Sequence, residues 1–180
     1  RDGLAFSVSY AMTTLVEFNF CALLIGQLLG PGEVALFQVF VSVTLAVNGL
    51  IIMATTPTWP AVVDAFVKGD HAWIVKAMQN LFGFVMLIAF CAFVGSVLIG
   101  PGLLPRWYGP EFNAPTALFA AWGLYFIANA WRRANHVIVI GLGMVGRSAK
   151  YTLVECALAA LFAWVGLKLY GVVGLWCGLA

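Results

Sequence analysis

Two adjacent arginines, Arg132 and Arg133, lie inside the apolar stretch TALFAAWGLYFIANAWRRANHVIVIG, residues 116–141. They stand roughly nine residues, or on the order of 13 Å of helix, from its C-terminal end. A charge at such a depth in a bilayer costs a few kcal/mol or more, and such residues pair, meet water or mark a ligand pathway. At helical spacing Tyr125, Asn129, Arg132 and His136 fall at i, i+4, i+7 and i+11 and form one polar stripe. Arg133 lies about 100° round the helix from that line. A guanidinium fork on a wet face suits a carboxylate or a phosphate. Equally, long arginine stems can carry both heads back to the interface. Glu17 sits mid-way along another apolar stretch and shares a helix face with Thr13 and Tyr10. An acid there is a candidate for ion coupling or for a buried pair with an arginine. Gln38, Ser42 and Gly49 share a further face with Asn48 beside them. Gln38 and Asn48 are candidates to line a cavity, and Ser42, Thr44 and Gly49 fit helix contacts better.

Other chemistries find little support. No carboxylate pair, Ser/His/Asp set or His/Cys cluster has catalytic or metal-ligand spacing. Cys21, Cys91, Cys156 and Cys177 stand singly in apolar runs. Gly141, Gly143 and Gly146 match a dinucleotide-binding fingerprint. Glu155 comes too soon to hold a ribose, and no acidic residue follows it. Those glycines read better as a turn between two helices. No cofactor and no nucleic acid is expected.

The elements that carry these residues follow from composition. Of 180 residues 63% are hydrophobic and 9% charged, with a net charge of +2. Mean hydropathy is +1.01. A soluble domain carries about 25% charged residues, so this composition indicates an all-α, polytopic membrane bundle. Continuous apolar runs argue against a membrane β-barrel, whose strands alternate. Spans are expected at about 4–29, 34–56, 77–99, 116–141 and 151–167, with a truncated sixth at 172–180. Gly30-Pro31-Gly32 and Gly100-Pro101-Gly102 are expected to break the chain, and their recurrence hints at a helical-hairpin repeat. Residues 60–69 suit an interfacial helix with an apolar side of Val62, Val63, Phe66 and Val67. Gly69 can stop it and Asp70 can cap the next helix; His71 fits a solvated loop. Trp107 and Tyr108 suit an interface belt. The chain opens without Met and ends within an apolar run, so a fragment of a longer protein, one lobe of it, is expected. Arg1, Lys68, Lys76, Arg147 and Lys150 fall on one side of this topology, and Arg106 and Lys168 on the other. The basic excess puts the first set in the cytoplasm.

The opening RDGLAF, the turn LLGPGEVALFQ, the passage PTWPAVVDAFVKGDHAWIVK and the closing LYGVVGLWCGLA carry a likeness. The chain resembles the second half of a bacterial polysaccharide flippase, the O-antigen translocase type of the multidrug/oligosaccharidyl-lipid/polysaccharide exporter superfamily. The resemblance implies one lobe of a two-lobed bundle around a central cavity. Its substrate would be an oligosaccharide on a polyprenyl diphosphate, turned across the inner membrane by alternating access and driven by an ion gradient. It further implies membrane lipids, a polysaccharide polymerase and chain-length proteins as partners, and cationic residues facing the cavity, a role that Arg132 or Arg133 would suit. A multidrug exporter of the same superfamily would fit Glu17 but not the arginine pair. A membrane-embedded glycosyltransferase or polymerase would need a large loop with catalytic acids, and Glu111 stands alone in its loop.

Overall fold

A computed structural model describes residues 11–13, 15–109 and 114–180, and only the backbone of Val145 and Arg147. Arg1, Tyr10, Glu111 and the RDGLAF opening lie outside the described residues. Every described element is helical. A π-helical stretch, Leu15–Phe20, continues into α1, Cys21–Leu28. Then come α2, Pro31–Thr55; α3, Thr58–Val67; α4, His71–Tyr108; α5, Thr116–Gly141; and α6, Val145–Leu179. Four stretches are long and apolar enough to cross a membrane: Ala11–Leu28, Pro31–Val67, His71–Tyr108 and Ser148–Leu179. The chain is a helical membrane protein. Helix α5 has the length for a span but is not among the four. Its Asn129, Arg132, Arg133, Asn135 and His136 lower its hydropathy, and other helices cover its inner half.

Local chemistry sets several boundaries as expected. Gly30 takes φ +99°, which ends α1, and Pro31 opens α2, where its missing N–H is no loss. Gly69 takes φ +72° after α3, and the Asp70 carboxylate accepts from the Trp73 N–H at 2.9 Å as the cap of α4. Between α2 and α3 the chain scarcely deviates, because Pro57 keeps helical angles, and the Thr56 and Thr58 hydroxyls donate to the carbonyls of Ile52 and Ala54.

Other expectations are corrected. Gly100-Pro101-Gly102 does not break the chain: α4 runs through it for 38 residues. At a rise of about 1.5 Å per residue that exceeds a bilayer's hydrocarbon core of about 30 Å. The glycine there serves packing instead. A Cβ on Gly100 would sit 2.4 Å from the Phe119 ring, so its absence lets α5 close on α4. On α3 the apolar residues divide between an inner and an outer side. Val62 and Ala65 are buried against Ile74, whereas Val63, Phe66 and Val67 are exposed. Helix α6 is bent at Tyr170 and Gly171, the latter at φ +62°. Its second arm returns along the first, so close that a Cβ on Gly174 would lie 2.1 Å from the Gly166 carbonyl oxygen.

Helix α5 is the axis of the bundle. Phe119 and Trp122 pack with Phe40 of α2, Phe126 packs on Trp122, and Tyr125 packs edge-on to Trp176 of the second arm of α6 at 5.2 Å. Buried aromatics of this size carry much of the packing in a core. At the other end Gly141 abuts Val62 and Trp59. The α5–α6 turn therefore lies at the same end of the bundle as α3.

Candidate functional site

Helix α5 presents its polar stripe at the crossing of four elements. Tyr125 and Asn129 are buried, and Arg132 and His136 half-buried. Glu17 arrives from the π-helical stretch and is 8% exposed. An i→i+5 turn is rare and recurs at functional sites. Arg132 donates through Nη2 to Glu17 Oε1, and through the same nitrogen to Asn129 Oδ1 at 2.9 Å. Tyr125 donates its hydroxyl to Glu17 Oε2 at 3.3 Å. Asn129 donates in turn to Asn48 Oδ1 of α2 at 2.5 Å. From α6, Glu155 Oε1 lies 3.4 Å from Arg132 Nε. The result is a connected chain: Asn48, Asn129, Arg132, then Glu17 with its Tyr125 donor, and Glu155 on the far side of the guanidinium.

The cluster is charge-balanced. Two carboxylates face Arg132, and Arg133 lines the same small cavity. Arg132 reaches inward to an acid and does not carry its head back along its own stem to the interface. The second acid, Glu155, pairs with Arg132 as well. The geometric reason is the stripe itself: residue 132, not 133, points at the seam between the first helix and α6. An anionic ligand at Arg132 would have to compete with a carboxylate already in place.

Two cavities adjoin the cluster. The larger, about 1120 Å³, runs along both arms of α6, from Tyr151 to Ala180, and is largely apolar, with Glu17, Asn129, Arg132 and Glu155 as its charged and amide lining. The smaller, about 240 Å³, is bounded by Thr13, Asn48, Thr55, Arg133, His136 and Thr152 besides the shared charged residues. His136 Nδ1 lies 3.1 Å from Ser148 Oγ, which ties α5 to the first turn of α6.

Seven of the candidate residues named from sequence thus meet directly or line one of these cavities with the others: Tyr125, Asn129, Arg132, Arg133, His136, Asn48 and Glu17. Gln38 does not. It is exposed on α2, about three turns from Asn48, and its carbonyl accepts from Ser42 at 2.9 Å. The inward face of α2 is instead Phe37, Phe40, Val41, Thr44 and Asn48. Thr44 joins helices as expected, accepting from the Trp122 indole at 2.8 Å. Trp122, Tyr125 and Trp131 each have an aromatic neighbour within the chain, Trp131 against Phe82 at 4.9 Å. Glu155 joins the site although it is not among the residues singled out from the sequence as site candidates. The signal that could have found it is the same that found Glu17, a carboxylate within an apolar span. The fingerprint glycines are helical or in a turn: Gly141 ends α5, Gly143 turns at φ +76°, and Gly146 is in the first turn of α6.

Among curated proteins the chain is similar to one named "Putative O-antigen export protein" from Yersinia pseudotuberculosis, with 24% identity over 178 residues. The match takes in 97% of this chain but 39% of the relative, so the chain spans about two-fifths of the relative's length. The two are distant homologues. No protein-family model matches the sequence. No solved structure matches it either.

Proposed function

We propose that this chain forms part of one lobe of a transporter that moves a lipid-linked oligosaccharide across a bacterial inner membrane for polysaccharide export. The observation that carries the reading is the similarity, along 97% of this chain, to part of a protein named for O-antigen export. The geometry supports it. An all-helical membrane chain keeps an arginine-centred polar cluster at the wall of a large, otherwise apolar cavity. Such a cavity offers an amphipathic ligand an apolar surface for a lipid chain and donors for a diphosphate or a sugar. Arg133, His136 and Asn48 then serve as ligand-facing groups. Arg132 binds only when Glu17 or Glu155 gives way, and Glu17 is the coupling group. A cationic drug fits less well, since both acids of the cluster already face a guanidinium. The reading is of a transporter, not an enzyme.

The test uses the full-length protein in cells that lack it, with surface polysaccharide measured against membrane abundance. Arg132→Ala should abolish export while the protein still inserts, and Arg132→Lys should restore part of it, since an ammonium lacks the planar fork. Full export by Arg132→Ala at normal abundance would remove the cluster from the mechanism. No export defect in cells lacking the whole protein would remove the substrate class.

A further inference from the structure

The two cavities share three lining residues, Glu17, Arg132 and Glu155. These are the three members of the ion-pair network. We infer that the Glu17–Arg132–Glu155 network is a movable partition between the small cavity and the large one. Three features of the geometry make it movable. Arg132 stands between two acids on different elements, one on the π-helical stretch and one on α6. As it swings from Glu17 toward Glu155 the guanidinium keeps an acid partner, and Glu17 keeps the Tyr125 hydroxyl as a donor, which offsets part of the cost of separating the pair. The Glu155 contact, at 3.4 Å, is the looser and half-exposed one, which leaves room for it to tighten as the other breaks.

The third feature is the π-helical turn, in which the Cys21 thiol donates to the Val16 carbonyl five residues earlier at 3.3 Å. Rewinding that stretch to an α register would turn Glu17 away from Arg132, since each residue's bearing on a helix is set by the residues per turn. Breaking the Glu17 contact would join the two cavities. Asn129 would then hold Arg132 on its own helix, at i+3, through the 2.9 Å hydrogen bond that does not cross the partition.

The partition is tested without reference to any transported substrate, by thiol labelling of the full-length protein in membranes. The background has Cys21, Cys91, Cys156 and Cys177 replaced by Ser. Gly49→Cys places a thiol in the small cavity, at a position where a new Cβ meets nothing within 4 Å. A membrane-impermeant maleimide is added to one side or the other. With the network intact, Gly49→Cys should react from one side only. With Glu17→Gln it should react from both, the second side at least about tenfold faster than before, the equivalent of about 1.4 kcal/mol in the opening equilibrium. Removing a buried carboxylate can damage the fold, so Glu155→Gln, at a half-exposed position, is the second variant. Second-side labelling should stay at background there, because Arg132 has lost the acid toward which it swings. In Glu17→Gln, with Cys156 restored and Thr13→Cys added, a disulfide across the 3.8 Å Thr13–Cys156 contact should return second-side labelling to background until reduced. Unchanged one-sided labelling in Glu17→Gln, or a rise in Glu155→Gln, at equal abundance, overturns the inference. So does second-side labelling that persists with the disulfide closed. Neither result bears on which substrate the protein carries.

Discussion

Replacing Glu17 and Arg132 singly and together asks how strongly the central pair is coupled. The Glu17 side chain is 10% exposed and that of Arg132 25%. Removing one partner from a buried pair typically costs about 3–5 kcal/mol, because the other charge stays behind. Arg132→Gln leaves Glu17 buried with the Tyr125 hydroxyl donating to it, so about 3–4 kcal/mol is expected, toward the lower part of that range because water reaches the arginine. Glu17→Gln leaves Arg132 with Glu155 and Asn129, so about 2 kcal/mol is expected. The double variant removes both charges and leaves two amides able to bond one another. Its cost should fall short of the sum by about 2 kcal/mol, the coupling energy of the pair. The assay is thermal or denaturant unfolding of the full-length protein in detergent, with the four variants in one buffer. Adding Glu155→Gln to Glu17→Gln should be worse than additive, since it strips Arg132 of both acids. Simple additivity of Glu17→Gln and Arg132→Gln would refute the reasoning, as it would mean the two side chains do not share one desolvated contact.

Gly174→Ala should destabilise the protein by about 3 kcal/mol or more, beyond ordinary overpacking, because its Cβ would meet the Gly166 backbone at 2.1 Å; a Tm within a degree of the parent would show that the arms of α6 do not touch there. Gly100→Ala should lower Tm through its clash with Phe119, whereas Gly102→Ala, with nothing within 4 Å, should be neutral or slightly stabilising; equal effects would deny the α4–α5 contact. Cysteines at Lys68 and Lys150 should be labelled from the same side of the membrane, since α3 and the α5–α6 turn meet at Gly141 and Val62. Labelling from opposite sides would reject that shared end.

The sequence alone determined the class and much of the local structure. Excess apolar residues leave only a membrane bundle, and a helix of that length follows from apolar run length. Pro31 at a helix start, Gly69 at a stop and Asp70 as a cap act through their own backbone angles or through atoms three residues away. The α5 polar stripe was legible for the same reason, since helical period is local. What the sequence left open was every relation between distant segments. Glu17 and Arg132 are separated by 115 positions, and nothing in either stretch says which arginine turns toward the acid or that Glu155 closes the far side. Two Gly-Pro-Gly segments of the same composition have opposite fates: at Gly30 the glycine's own φ ends a helix, and at Gly100 the helix continues with Phe119 packed where a Cβ would stand. Gln38 and Asn48 both looked like cavity residues, and only the packing of Phe37, Phe40 and Thr44 against α5 turned one outward and the other in. Local geometry is written in neighbours along the chain; partners for buried charge, and space for a ring, are decided by what tertiary packing brings alongside.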